Sequence, residues 1–175
     1  IIVISPNAGV TPKEYTPERW QEVIDNLCRK YPDAHILFLD SPSPAKKELY
    51  GKMVDKLVSE KRYKVSRITE ELDKMNTIMS MAELSITPDT GLGHLSAALG
   101  KPNIMLILSD PVQWSTAKTV RIMHPKAHEI YASGLGSYSK VWGSPNDYYV
   151  EDEGGKVGAS DIDPKRVVDA ANKIL

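Results

Sequence analysis

The chain has 175 residues, a length suited to a single domain built around one core. Its 22 basic and 23 acidic residues give a net charge of −1, which argues against nucleic acid as the main partner, since nucleic-acid binding usually requires a basic excess. No apolar run reaches the roughly 18 residues that a transmembrane helix needs, and the lone Cys28 cannot form an internal disulfide.

Strand and helix patterns alternate from the first residue. The apolar run over residues 1–5 is typical of a strand buried on both faces. Thr16 and Pro17 form an N-cap followed by proline in the first helical turn. The helix that they begin has an apolar face with i, i+3, i+4, i+7 spacing. The next predicted elements are a strand over 35–39, a helix over 46–60, a strand over 63–68, a helix over 69–83, a strand over 84–87, a helix over 92–99 and a strand from 103.

The spacing of apolar residues predicts a buried face on the later helices as well, and two of these faces bear on the site. In the helix over 46–60 they are Leu49, Met53, Val54 and Leu57. In the helix over 92–99 they are Leu92, Leu95, Ala98 and Leu99. Beyond residue 108 the patterns weaken, and only 127–132 resembles another strand. Asp163 and Pro164 then mark the start of a closing helix.

This alternation predicts an α/β fold: a Rossmann-like, three-layer α/β/α domain with a mainly parallel sheet, spanning residues 1–175 as one unit. Because crossovers are right-handed, the carboxyl ends of the strands meet at one edge, where ligands of such sheets bind. Small, polar and turn-forming residues gather at the ends of four predicted strands, in segments 5–9, 40–43, 88–91 and 109–111. The sequence therefore predicts a ligand cleft at this edge.

The turn over 88–91 leads from a strand directly into a helix. Such a helix start has unpaired N–H groups and the positive end of the helix dipole, which suits phosphate. We expect Thr90 to cap the helix, and Gly91 and Gly93 to let a ligand approach the backbone closely. Asp89 would repel phosphate, so we expect its carboxylate to accept hydrogen bonds from loop amides. An ordinary capped helix start is the alternative interpretation.

Two further side chains are candidates for the same cleft. His94 is predicted to face the rim, and Lys13 follows the first strand closely enough to place its ammonium over the cleft. Alone, each is also typical of a solvated side chain. The series from Gly91 to Ser96 also fits G-x-G-x-x-S, the outline of a dinucleotide fingerprint. Ser in the last position, the short helix and the nearby Asp89 argue against that oxidoreductase interpretation, which stays an alternative.

Residues 86–102 resemble the D-T-G-x-x-H-L-A-A-A-L-G-x-P signature of the heptosyltransferases, glycosyltransferase family 9. Residues 5–9, Lys13 and residues 17–20 are similar to the P-G-A…K-x-W-P-x-x-x-W stretch of the same family. The resemblance covers most of residues 1–108. It implies the C-terminal, donor-binding half of a GT-B glycosyltransferase.

The resemblance also implies a ligand and a division of roles. The donor would be a nucleotide-diphosphate sugar such as ADP-heptose, with no cofactor and no metal, and the acceptor a lipopolysaccharide-type or other glycan, or a lipid-linked one. The implied donor and phosphate site comprises Asn7, Lys13, Asp89, Thr90, Gly91, Leu92, Gly93 and His94. Lys13 would neutralise the donor phosphates, while Asp89 and His94 would shape the site.

No residue of this chain is a good candidate for the general base. The family places that base on an N-terminal acceptor-binding domain, so we expect the chain to be a fragment that binds donor without turnover. The expected location is the cytoplasm, including the inner face of the bacterial inner membrane.

Two departures from the family pattern keep another function open. Residues 107–111 replace the usual F-G-P-T-x-P, and residues 40–44 stand where the family often has a glycine and a ribose-binding glutamate. A nucleotide-binding module without transferase chemistry is therefore a second hypothesis.

Overall fold

The computed structural model describes residues 1–9, 13–60, 63–69, 72–107, 127–131, 140–142, 149–152, 155–157 and 159–175. Its main feature is a six-stranded sheet in the order β3-β2-β1-β4-β5-β6, and every neighbouring pair in it is parallel. The strands are β1 (Ile2–Ile4), β2 (His35–Leu39), β3 (Lys64–Ile68), β4 (Leu84–Pro88), β5 (Asn103–Ile107) and β6 (Ala127–Tyr131). The order reverses between β1 and β4, as in doubly wound folds. The predicted α/β fold class is confirmed.

Helices cover both faces of this sheet, which makes the three layers that the sequence predicts. They are α1 (Pro17–Lys30), α2 (Pro44–Ser59), α3 (Leu72–Met81), α4 (Gly91–Ala98) and α5 (Pro164–Ile174). On one face, Trp20 of α1, Tyr50 of α2 and Val167 of α5 pack with Ile4 and Phe38 of the sheet. The opposite face holds a smaller cluster in which α3 and α4 cover β1 and β2.

The helix boundaries follow local signals in the sequence. Thr16 caps α1 through a hydrogen bond from the Arg19 N–H to its hydroxyl, and Asp163 caps α5 in the same way through Lys165. Gly100, at φ +70°, ends α4 in a left-handed conformation that glycine adopts without strain. The hydrogen bond from the Lys101 N–H to the Ser96 carbonyl oxygen, at 3.0 Å, completes this C-terminal cap.

The predicted inner face of α2 is wrong at one position. Leu49 is 51% exposed, whereas Tyr50 is 2% exposed and belongs to the core. The positions 50, 53, 54 and 57 have i, i+3, i+4, i+7 spacing, whereas 49, 53, 54 and 57 have i, i+4, i+5, i+8 spacing, so periodicity favours Tyr50 over Leu49. The buried Tyr50 hydroxyl donates to the carbonyl oxygen of Tyr15 at 3.1 Å, so burying this side chain leaves no unsatisfied polar atom.

The predicted inner face of α4 is also wrong. The buried residues are Gly93, Ser96 and Ala97, while Ala98 and Leu99 are exposed and Leu92 and Leu95 are half-buried against the cluster around α3. Helix α4 lies so close to β4 and β5 that only small side chains fit between them. The side of α4 that packs on the sheet therefore carries its smallest residues, and the more hydrophobic side chains lie elsewhere on the helix.

After β5 the sequence predicts one more strand, and β6 confirms it. The structure adds a three-stranded antiparallel sheet that the sequence analysis missed, with β7 (Lys140–Trp142), β8 (Tyr149–Asp152) and β9 (Gly155–Val157). Strands of three or four residues are too short to show a clear alternation of apolar and polar side chains. The segment 109–111, predicted to lie at the ligand edge, is outside the described residues.

Candidate functional site

The loops that follow β1, β2, β3 and β4 meet at the carboxyl edge of the sheet, as the topology requires. A cavity of about 280 Å³ opens there, which we call the cleft. Its walls are formed by Asn7, Leu39, Asp40, Ser41, Pro42, Thr69, Met75 and Leu92. Of the predicted site residues, Asn7 and Leu92 line it. Asn7 also joins two loops, because its side-chain NH₂ donates to the Asp40 carbonyl oxygen at 3.1 Å.

Three predicted site residues come together beside the cleft. The Lys13 ammonium donates to Oδ2 of Asp89 at 2.8 Å, and Nε2 of His94 lies 3.5 Å from Oδ1 of the same carboxylate. We call Lys13, Asp89 and His94 the Asp89 cluster. The Lys13 and Asp89 side chains are only 14% and 12% exposed, so their charges interact in a partly desolvated setting. Lys13 and Asp89, which are 76 positions apart in the chain, are thereby joined near the N-terminus of α4.

The partners of Asp89 correct one expectation. Among the described residues its carboxylate is bound by side chains, whereas the sequence analysis predicted loop amides. Burial alone would raise the pKa of Asp89. The hydrogen bonds from His94 and Lys13, together with the charge of the Lys13 ammonium, outweigh burial and hold that pKa below its usual range. Asp89 is therefore an ionised counter-charge at neutral pH.

This lowered pKa predicts a loss of stability in acid. The folded state binds fewer protons than the unfolded state near pH 4, so the free energy of unfolding falls as the pH drops through the folded pKa of Asp89. The contribution is complete above the unfolded value of about 3.9. Urea unfolding of the wild type and of Asp89→Asn from pH 6 to pH 2 measures it. We expect the gap between the two proteins to narrow below about pH 4, and a constant gap would contradict this role.

The start of α4 differs in one detail from the prediction. Thr90 has the extended backbone of an N-cap residue, but its hydroxyl caps no N–H group. Thr90 Oγ1 and His94 Nδ1 are both buried without a hydrogen-bond partner among the described residues. Thr90 is thus the N-cap residue, as predicted, but without the capping hydrogen bond expected of its hydroxyl. The N–H groups of the first turn have no partner within the helix and stay available as donors.

Glycines at the start of α4 have contrasting surroundings. A Cβ atom on Gly91 would meet no described atom within 4 Å, so no described residue packs against this position. A Cβ atom on Gly93 would lie 2.5 Å from Oγ1 of Thr87, so Gly93 faces the sheet. Gly93 therefore serves the packing of α4, and the close approach of a ligand to Gly91 stays a prediction. The backbone N–H of Gly93 remains one of the first-turn donors.

A second lysine, which the sequence analysis missed, fixes the loop that carries Asn7 and Lys13. The Lys46 ammonium donates to the Ala8 carbonyl oxygen at 2.8 Å and forms an ion pair with Glu14. Lys46 lies in the first turn of α2, so α2 and the loop after β1 are joined at the carboxyl edge. The sequence signal for Lys46 is its place in the first turn of a helix that follows a strand. Many solvated lysines have the same kind of position, so this signal alone does not predict the contact.

The described residues hold a further large cavity but no candidate metal centre. They contain no group of three or more His, Cys, Asp or Glu side chains that could hold a metal ion. None of the described helices is long and apolar enough to cross a bilayer. A cavity of about 430 Å³ lies at the opposite, amino edge of the sheet, between Lys30–Ala34, Glu83 and both described chain ends, and no predicted site residue lines it.

A family model, Glycosyltransferase family 9 (heptosyltransferase), matches residues 1–128, which include all of the cleft and the whole Asp89 cluster. This chain belongs to glycosyltransferase family 9. The family assignment rests on the same region in which the D-T-G-x-x-H-like motif and the first-strand loop converge. No curated protein sequence matches the chain.

Solved structures of family 9 enzymes share the fold. The chain is 19% identical to E. coli heptosyltransferase WaaC with ADP, with a TM-score of 0.67 over 99% of this chain and 44% of that one. The chain is 20% identical to E. coli ADP-heptose lps heptosyltransferase II, with a TM-score of 0.70 over 99% of this chain and 45% of that one. It is 22% identical to a glycosyl transferase family 9 protein from Veillonella parvula, with a TM-score of 0.67 over 99% of this chain and 45% of that one. The chain thus spans less than half the length of these proteins.

Proposed function

We propose that this chain is the donor-binding domain of a glycosyltransferase and that it binds a nucleotide-diphosphate sugar of the ADP-heptose type. The observation that carries the proposal is the Asp89 cluster: a family 9 sequence places a lysine, a carboxylate and a histidine at the open mouth of α4. Related structures hold ADP and an ADP-heptose analogue, which supports the same class of ligand here.

The donor would lie across two adjoining regions. The amides of Gly91, Leu92 and Gly93 would hold the diphosphate, with Thr90 Oγ1 and Asn7 nearby and Lys13 supplying positive charge. The nucleoside would enter the cleft, where Leu92 forms a shared wall. Asp89 would not touch phosphate. Its role is to hold Lys13 and to fix His94 Nε2, so that His94 Nδ1 faces away from the carboxylate.

The chemistry that this arrangement supports is departure of a nucleoside diphosphate. Negative charge grows on the leaving phosphate as the sugar bond breaks, and donors fixed beforehand stabilise that charge. One helix terminus contributes roughly 0.3–2 kcal/mol, so the amides, Lys13 and His94 must act together. The base that deprotonates the acceptor would belong to an N-terminal domain outside these 175 residues. A lipopolysaccharide-type acceptor would place the whole enzyme at the inner face of the inner membrane.

Calorimetry of the 175-residue chain tests the proposal. We expect ADP-heptose to bind more tightly than ADP, since the sugar adds contacts, and NAD to bind much more weakly than either. Equal affinity for ADP and ADP-heptose would favour the nucleotide-binding module without transferase chemistry. Tight NAD binding would favour the dinucleotide-binding oxidoreductase, and absence of any nucleotide binding would contradict all three.

A further inference from the structure

Asp40 lies where many nucleotide-binding sheets place a ribose-binding acid. It directly follows β2, and in doubly wound sheets an acid near this point commonly accepts hydrogen bonds from the ribose hydroxyls. Here the Asp40 side chain is only 4% exposed, although the residue lines the cleft. Its carboxylate is therefore turned into the protein and away from the space that a ribose would occupy.

Three side chains hold the Asp40 carboxylate in that orientation. Arg67 Nε donates to Oδ1 at 2.5 Å, Thr69 donates its hydroxyl to Oδ2, and the Lys47 ammonium lies 3.5 Å from Oδ2. Burial would raise the pKa of Asp40, but these hydrogen bonds and charges outweigh it and lower that pKa. The carboxylate thus stays ionised and bound to its partners throughout the neutral range.

Arg67 is itself held on every side. Its Nη1 donates to both carboxylate oxygens of Asp55 at 3.1 Å, and its Nη2 donates to the Lys47 carbonyl oxygen at 3.1 Å. The guanidinium lies directly on α2 at Gly51, where a Cβ atom would be 2.5 Å from Nη2. A glycine at this position is what lets the arginine reach Asp40 from β3.

The other polar side chains of the cleft also have partners within the protein, while the Oδ1 atom of Asn7 is buried and has no hydrogen-bond partner among the described residues. Asn7 donates to the Asp40 carbonyl oxygen, Thr69 donates to the Asp40 carboxylate, and Ser41 Oγ accepts from the Ser43 N–H at 3.2 Å. The remaining walls are apolar: Leu39, Pro42, Met75 and Leu92. Such walls suit the faces of a flat base better than sugar hydroxyls, which need exposed donors and acceptors.

We propose that Asp40 does not read the ribose, and that the cleft therefore accepts nucleoside diphosphates with or without ribose hydroxyls. This inference rests on the proposed function, because it concerns the specificity of the same donor site. Arg67 is the positioning residue in this account, since it withdraws the carboxylate that would otherwise distinguish ribose from its deoxy forms.

The primary test compares ADP with 2′,3′-dideoxy-ADP on the wild-type chain by calorimetry. We expect their dissociation constants to agree within threefold. A loss of more than threefold for the dideoxy nucleotide, with ADP still bound, would overturn this inference and leave the donor-site proposal standing. Failure of both nucleotides to bind would overturn the donor-site proposal and this inference with it.

A second measurement tests, without any ligand, the hydrogen bonds and ion pairs that hold the Asp40 carboxylate. Asp40→Asn should lower the melting temperature by about 5 °C or more, because it removes the buried carboxylate charge that pairs with Arg67 and Lys47. Asp55→Asn is the matched control: it removes another carboxylate partner of Arg67 whose side chain is 66% exposed, and should cost less than half as much. Equal melting temperatures for the wild type and Asp40→Asn would overturn the inference.

Discussion

Replacing Lys13 with Met should lower the affinity of the chain for ADP by about 10- to 100-fold. A hydrogen bond to a charged group contributes roughly 1.5–3 kcal/mol, and each 1.4 kcal/mol is a factor of ten in the dissociation constant. In the structure the ammonium is 2.8 Å from Asp89 and 14% exposed, so its charge acts where water screens it little. Calorimetric titration with ADP measures the loss.

The control for this substitution is Lys52→Met. Lys52 lies on α2, its side chain is 77% exposed, and its partner is Glu48 one turn away. We expect ADP to bind this variant as it binds the wild type, because an exposed pair on a helix surface contributes little. If Lys13→Met also binds ADP with unchanged affinity while remaining folded, the ammonium has no part in holding the diphosphate.

Gly93→Ala should destabilise the fold by about 1–3 kcal/mol, the usual cost of forcing extra volume into a packed interior. The new methyl group would lie 2.5 Å from Thr87 Oγ1 and 2.9 Å from the Met105 methyl carbon. Thr87 is completely buried and has no room to move aside, so α4 must shift away from β4. That shift would move the amides of the first turn and weaken ADP binding as well.

Gly91→Ala is the same chemical change two residues earlier. No described atom lies within 4 Å of the added methyl group, and alanine has the better helix propensity. Urea unfolding should therefore show unchanged or slightly raised stability for Gly91→Ala and a clear loss for Gly93→Ala. Equal losses for the two variants would show that α4 does not pack as closely on the sheet as the structure has it.

Local patterns predict much of the fold. Proline and capping residues locate the starts of α1 and α5, and alternating strand and helix signals predict the parallel sheet and its ligand edge. Hydrophobicity misleads where an aliphatic residue stands beside the position that the helical period favours, as at Leu49 beside Tyr50, or where contact distance decides which residue is buried, as at Gly93. The second case depends on tertiary neighbours that no window of sequence contains.

In the candidate site, too, local sequence predicts residues but not their long-range contacts. A motif within one short segment predicts Asp89 and His94 together, and family resemblance adds Lys13. Lys13 and Asp89, which form an ion pair, are 76 positions apart in the chain, and the hydrogen-bonded pair of Arg67 and Asp40 is 27 positions apart. Long-range pairs of this kind arise from the order of strands in the sheet. Hence the sequence predicts which residues have suitable chemistry, while the structure shows which carboxylates already have partners.

The most direct test of the account is a crystal structure of the chain with ADP. We predict that the β-phosphate oxygens lie within hydrogen-bond distance of the backbone N–H groups of Gly91–Gly93 and of the Lys13 ammonium, with the adenine in the cleft. A diphosphate bound elsewhere, such as in the cavity at the amino edge of the sheet, would contradict the proposed site.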